Sequence, residues 1–304
     1  MERARKIFLS VLLLAVVALA PHCLADSDRT PGAGDSPPPA AAAASQDTIG
    51  IATFNIQTFG DAKAKKPEVM KVLAQTVARF DLVAIQEVRD DEGLAVKNLE
   101  KLVDDLGRDY AVIVSPRLGR TTSKEQYAFI YRVDRVAPAG EVLTFKEPPG
   151  QDPFERDPFM ARFKCIQGKF RFVLITVHTK PTDAKREIPA LKGVLAFARE
   201  KFPGEGDFII LGDLNADCKY YNRQQPNPIP GTTWLLPPNA DTTVKSTRCA
   251  YDDILITDAC KEDLAGEAQV FRFDQEYGLT HEQAVRVSDH FPVWARFYTG
   301  RDTD

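Results

Sequence analysis

Apolar residues in this chain come in short runs that stop at polar, chemically capable residues. Residues 49–54 form one such run, ending at Asn55, and 82–85 form another, ending at Gln86-Glu87. Runs of this length bounded by polar residues fit strands better than helices. Strands are also predicted over 110–115, 126–131, 170–177, 208–211, 254–257, 268–273 and 293–298. The run 170–177 leads into His178, and 208–211 leads into Gly212-Asp213. Helical spacing predicts helices over 67–79, 94–106 and 188–201. In the first, Val69, Leu73 and Val77 share a face and Pro67 sits near the N-terminus. No repeat period is present. Helices interleaved with half-buried strands predict an α/β (α+β) fold of two packed β-sheets flanked by helices. Polar residues at the strand ends would then meet on one rim.

The first residues follow a different pattern. Arg3, Arg5 and Lys6 precede an apolar stretch from Ile7 to Ala20, and Cys23-Leu24-Ala25 offers a small-residue cleavage site. This predicts a signal peptide over 1–25, since the apolar stretch is shorter than the roughly 18–20 residues a membrane span needs. Residues 26–47 are rich in Pro, Gly and Ala and predict a disordered tether. Residues 48–300 are left as one domain with a substantial core. Removing the signal takes away three basic residues and one acid, moving the formal net charge from −4 to −6. That acidity argues against a tight scaffold-type binder of polyanions, but not against an enzyme that turns over.

Three histidines then remain, His178, His281 and His290. His178 and His290 sit beside strand ends and acids, where imidazole can take and give protons near neutral pH. His281, in Leu279-Thr280-His281-Glu282, reads as a surface helix residue. Glu87, Asp213 and Asp289 flank apolar segments, as do Asn55 and Asn215. Such hard oxygen ligands suit magnesium, manganese or calcium rather than zinc. Cysteines 165, 218, 249 and 260 lack a C-x-x-C pair, so they form no zinc motif.

Several longer segments resemble the secreted deoxyribonuclease I family of the endonuclease/exonuclease/phosphatase superfamily. They are Asn55-Ile56-Gln57-Thr58-Phe59-Gly60, Ile85-Gln86-Glu87-Val88-Arg89-Asp90, Gly212-Asp213-Leu214-Asn215-Ala216-Asp217-Cys218, Cys249-Ala250-Tyr251-Asp252 and Ser288-Asp289-His290-Phe291-Pro292. The match runs in order from about residue 49 to 298. It implies a four-layered sandwich, exported, secreted or periplasmic, that cleaves DNA phosphodiesters with little sequence specificity and leaves 5′-phosphate and 3′-hydroxyl ends. His290 would be the general base, oriented by Asp252, and His178 the general acid, paired with Glu125. Glu87 would hold Mg²⁺ or Mn²⁺ with Asn55 and Asp289 close by, and Asp213 and Asn215 would serve a second metal or the phosphoryl oxygens. Arg89, Arg120 and Arg156 would contact DNA. Cys218 and Cys249 fall at the positions of the family's main disulfide, whereas Cys165 and Cys260 have no such match and read as small buried thiols.

The chain also departs from the family. Ser123 stands where a tyrosine packs against a sugar. A calcium loop keeps Asp241, Thr243 and Thr247, but Lys245 replaces a neutral residue, and a lysine beside a cation opposes binding unless it points away. A second calcium loop is shortened to Asp152, Phe154 and Asp157 and lacks its small disulfide. Val112-Ile113-Val114 preserves only part of the apolar surface that vertebrate relatives use for actin, so no actin binding is expected. A monomer acting on duplex DNA, without stable membrane association after signal cleavage, is the leading expectation. A phosphodiesterase for sphingomyelin or phosphoinositides and a non-catalytic binding domain are the alternatives.

Overall fold

The computed structural model describes residues 48–122 and 124–302. The expected signal segment, the tether and Ser123 lie outside the described residues. Among the described residues the strands are β1 (Thr48–Phe59), β2 (Leu82–Val88), β3 (Tyr110–Val114), β4 (Gln126–Arg132), β5 (Val136–Thr144), β6 (Phe159–Cys165), β7 (Arg171–His178), β8 (Phe208–Asp213), β9 (Thr232–Trp234), β10 (Asp252–Thr257), β11 (Gln269–Val270) and β12 (Val293–Tyr298). The helices are α1 (Asp61–Ala64), α2 (Pro67–Val77), α3 (Leu94–Asp104), α4 (Ala184–Lys201), α5 (Phe273–Glu276) and α6 (His281–Val287). They build two six-stranded mixed sheets, ordered β11-β12-β1-β2-β4-β3 and β5-β6-β7-β8-β10-β9.

Alternation along the strands assigns each side chain to a layer. Ala52 and Phe54 of β1 pack outward with Leu73 of α2, Leu99 of α3 and Val287 of α6. Ile49 and Ile51 point the other way, into the space between the sheets, with Phe129, Phe163, Phe172 and Ile254. In β7, Val173, Ile175 and Val177 pack outward with Ile188, Leu191 and Leu195 of α4. Both faces of each sheet are therefore covered, which is why the central strands read as continuous apolar runs. This is the four-layered sandwich that was expected.

The differences are local. β1 does not stop at Asn55 but continues to Phe59 past a register shift. The strand expected over 268–273 pairs only at Gln269–Val270; Phe273 turns into α5 because its ring is buried against Phe54 and Phe291, at 6.0 and 5.1 Å between centroids. The helix expected from 188 begins at Ala184. β5 and β6 were not anticipated. β5 is an edge strand carrying Pro138 and Gly140, and β6 is interrupted by Arg162 and Lys164. His281 opens α6 and is exposed, as its sequence context suggested. Among the described residues no helix is long and apolar enough to cross a membrane.

Candidate active site

Strand register assembles the centre. β8 lies between β7 and β10, so His178 pairs with Asp213 on one side and Asp252 pairs with it on the other. Three strand-terminal residues thus form one row at an end of the second sheet. Gly212 permits this close approach: its φ is +150°, and a Cβ there would collide with the Val177 carbonyl. His290 reaches the row from the turn before β12, where Thr243 bridges it.

Each histidine is locked through one ring nitrogen. His178 Nδ1 lies 2.9 Å from Glu125 Oε2, and His290 Nδ1 lies 2.7 Å from Asp252 Oδ2. Their other nitrogens converge on a single oxygen, Asp213 Oδ2, at 3.5 and 3.7 Å. Burial opposes charge on Glu125, but His178, Arg156 and Arg89 outweigh it and hold the carboxyl at about 2. Burial likewise disfavours the His290 imidazolium, yet Asp252 and Asp213 overcome it and push the ring up to about 10. Burial also raises the Asp252 carboxyl, while the His290 ring and the Thr242 hydroxyl act against that rise.

Beside the histidines is a cluster of hard oxygen donors. Glu87 sits at a break in the β2–β4 register with φ +61°, a left-handed conformation rare outside glycine, and Thr58 N–H donates to its Oε2 at 2.8 Å. Asn55 Nδ2 donates to Asp213 Oδ2 (3.0 Å) and Glu87 Oε1 (3.3 Å). Asn55 Oδ1 and Asp289 Oδ1 are buried with no hydrogen-bond partner. Two orphaned oxygens beside the Glu87 and Asp213 carboxylates fit a hard divalent cation, because an unpaired buried acceptor is otherwise costly. Asp213, Asp252 and His290 also bring one donor atom each within 4.8 Å of one another, but Asp252 Oδ2 and His290 Nδ1 already satisfy each other. Asp217, Cys218 and Cys249 cluster as well, yet their sulfurs are joined in a disulfide and offer no thiolate.

A cleft of about 290 Å³ opens on the His178 side, lined by Glu87, Arg89, Glu125, Arg156 and Lys180 among others. Arg89 is partly exposed there and donates to Glu125 Oε1 at 2.7 Å. Arg156 is buried, its Nε donating to the His178 carbonyl (3.1 Å) and its Nη1 to Glu125 Oε1 (3.4 Å). Arg120 is turned toward acids: Nη1 donates to Asp152 Oδ2 at 3.0 Å, and its backbone N–H to Glu155 Oε1. Asn215, with φ +48°, donates from its side-chain amide to the Thr179 carbonyl at 3.1 Å and from its backbone N–H to Asp213 Oδ1 at 3.0 Å. Asp241, Thr243 and Thr247 come together in one loop, with Thr243 Oγ1 2.9 Å from Asp241 Oδ1 and within reach of the Thr247 carbonyl. Cys218 and Cys249 are bonded, and Cys165 and Cys260 are buried and take no part in that disulfide.

Four supporting residues escaped the sequence reading. Tyr127 Oη accepts the His178 N–H at 2.9 Å. The Thr242 hydroxyl donates to Asp252 Oδ2 at 2.8 Å. Gln57 Nε2 and Lys245 Nζ both donate to Asp289 Oδ2, at 2.9 and 2.6 Å. All four lie one or two residues from a predicted site residue, and that proximity was the available signal; the sequence marks Lys245 only as a loop substitution.

Residues 52–290 match the Endonuclease/Exonuclease/phosphatase family. The chain is 38% identical over 260 residues to Deoxyribonuclease-1 of Rattus norvegicus, covering 81% of this chain and 90% of that protein. It is 37% identical over 260 residues to Deoxyribonuclease-1 of Homo sapiens, covering 81% and 91%. A solved structure of an endonuclease/exonuclease/phosphatase family protein from Bacteroides thetaiotaomicron superposes with a TM-score of 0.59 at 17% identity, over 82% of this chain and 97% of that one, a likeness of fold alone. By its sequence matches and its four-layered architecture, the chain belongs to the endonuclease/exonuclease/phosphatase family and, within it, to the deoxyribonuclease-1 family.

Proposed function

We propose that this protein is an exported, divalent-metal-dependent endonuclease that hydrolyses DNA phosphodiester bonds with little sequence specificity. The observation that carries this reading is the convergence of two buried, carboxylate-backed histidines on Asp213 Oδ2, at 3.5 and 3.7 Å. In-line hydrolysis needs a base for the attacking water and an acid for the departing oxygen, and these histidines supply both. His290, oriented by Asp252, takes the water proton on Nε2. The water oxygen bonds to phosphorus as the bond to O3′ breaks, and O3′ takes its proton from His178 Nε2. The products are a 5′-phosphate and a 3′-hydroxyl. Glu125 holds the His178 ring in place, and Arg156 braces that pair.

Glu87, Asn55 and Asp289, with Asp213 adjacent, would hold Mg²⁺ or Mn²⁺. When bound, such an ion would offset charge on the phosphate. Arg89 lines the cleft where a DNA phosphate would sit, with Arg156 behind it. Arg120 would join them only on release from Asp152. With so few contacts, binding should be salt-sensitive and tolerant of sequence. Export is supported by the signal-like residues 1–25 and by a disulfide, a bond that persists in oxidising compartments. The domain over 48–300 would act as a monomer, free of the membrane once the signal is removed.

Nicking of supercoiled plasmid with Mg²⁺ or Mn²⁺, and its loss in EDTA, tests this directly. Turnover of sphingomyelin or phosphoinositides in place of DNA would reassign the substrate. Folded protein inert on all three across divalent ions would overturn the enzymatic reading.

A further inference from the structure

The segment from Ala240 to Cys249 packs directly on the catalytic residues, and its ends are fixed. Val244 N–H donates to the Asp289 carbonyl and Phe291 N–H to the Thr242 carbonyl, both at 2.8 Å. Cys249 is bonded to Cys218, and Ala250 N–H donates to Asp217 Oδ2 at 2.8 Å. Through Thr242 the loop holds Asp252, and through Val244 it holds the backbone of Asp289. Where this loop sits therefore decides where the partner of His290 and a candidate metal ligand sit.

The family resemblance implies a calcium ion on Asp241, Thr243 and Thr247, whose oxygens come together here, but Arg248 beside Asp241 and Lys245 in the same loop set positive charge against a cation. Calcium takes six to eight oxygens, and its affinity rises with the number of carboxylates among them. This loop offers one carboxylate, and it is already engaged. Asp241 Oδ1 accepts the Thr243 N–H at 3.2 Å and lies 2.9 Å from the Thr243 hydroxyl, while Oδ2 faces Arg248 Nε at 3.6 Å. Lys245 adds a second positive charge within the loop. Its ammonium reaches across to Asp289 Oδ2 at 2.6 Å, the oxygen that Gln57 also holds, and leaves Oδ1 without a hydrogen bond, 3.9 Å from His290 Nε2.

We infer that this loop is braced by its own cations where the family resemblance would place calcium. Lys245 straps it to Asp289, Arg248 neutralises Asp241, and the loop stays closed on the catalytic residues without a calcium ion. Lys245 is thus a positioning residue that acts through Asp289. The inference rests on the geometry of the loop and not on the reaction assigned above, so it can fail independently of that reading.

Hydrogen exchange followed by mass spectrometry on the full chain tests it without any substrate, in the peptide covering 241–251. In the wild type, protection of this peptide should be the same in excess calcium and in EGTA. In EGTA, Lys245→Thr should exchange about three- to tenfold faster there, and Lys245→Arg should restore the wild-type rate. Slower exchange of the wild-type peptide in calcium than in EGTA would overturn the inference, as would a Lys245→Thr rate equal to wild type in EGTA. If Lys245→Thr does not fold, the wild-type comparison decides alone: calcium-insensitive protection supports the brace, and calcium-dependent protection refutes it.

Discussion

Asp213 Oδ2 is the point on which the chemistry turns, because both reactive imidazole nitrogens and the Asn55 amide face it. The two histidines are held differently. His178 has Tyr127, Glu125 and Arg156 around it, while His290 has Asp252 with Thr242 behind. Replacing His290 by Ala should lower kcat in plasmid nicking by about 10²–10⁴ with circular dichroism unchanged, the usual worth of a general base. Survival of near-wild-type rates would remove His290 from that role. Glu125 links the site to stability. Its folded carboxyl is held at about 2 against the usual 4.5, so its contribution is fully present above 4.5 and is lost as pH falls from there through about 2. Acid unfolding should therefore show Glu125→Gln less stable than wild type at neutral pH, with the gap closing across that window. A gap that is constant with pH would mean that the charge of Glu125 does not stabilise the fold.

At the level of elements, the row His178–Asp213–Asp252 depends on β7, β8 and β10 lying at their present spacing. Gly212 is the narrowest point of that contact, with its Cα against the Val177 carbonyl and φ at +150°. Gly212→Ala should force the strands apart next to two catalytic positions. We expect a loss of at least about 3 kcal/mol of stability, from left-handed strain together with overpacking, and loss of nicking in whatever protein still folds. Urea unfolding with parallel nicking assays measures both. A variant with wild-type stability would show that the sheet edge tolerates the added carbon. The loop after β8 is pinned in a second way, since the Cys218–Cys249 bond closes a segment with a sequence separation of 31 and is worth about 3–4 kcal/mol in the chain-entropy model.

Across the whole molecule, the site exists only while the two sheets stay in contact. Asn55 and Glu87 come from the first sheet, and His178, Asp213 and Asp252 from the second. Beneath them, Gln86 spans the gap, accepting from Thr53 at 3.1 Å and donating to Thr176 at 2.9 Å. Deeper in the interface, Phe129 of the first sheet stacks on Phe159 of the second at 5.2 Å and meets Phe163 edge-on at 5.6 Å. Phe129→Ala should cost about 3–5 kcal/mol, as large aromatic deletions in cores do. Nicking should then fall on warming in step with global unfolding, read by differential scanning calorimetry. Loss of activity well below the unfolding transition would mean instead that the sheets separate locally.

The sequence by itself determined the layers and most of the chemistry. Short continuous apolar runs mark central strands covered on both faces, and the polar residues that stop those runs are the strand ends where a rim site forms. Asn55, Glu87, His178 and Asp213 were legible for that reason. β5, β6 and the end of β11 were not, because an edge strand with Pro138 and Gly140 carries little pattern and Phe273 follows its aromatic neighbours rather than its local run. Only the tertiary structure decided that Arg156 is buried as a brace, that Arg120 is tied to Asp152 and that Lys245 reaches Asp289. Those are contacts between residues more than twenty positions apart. Register between strands and the length of a flexible side chain set them, and neither is written in the local order of residues.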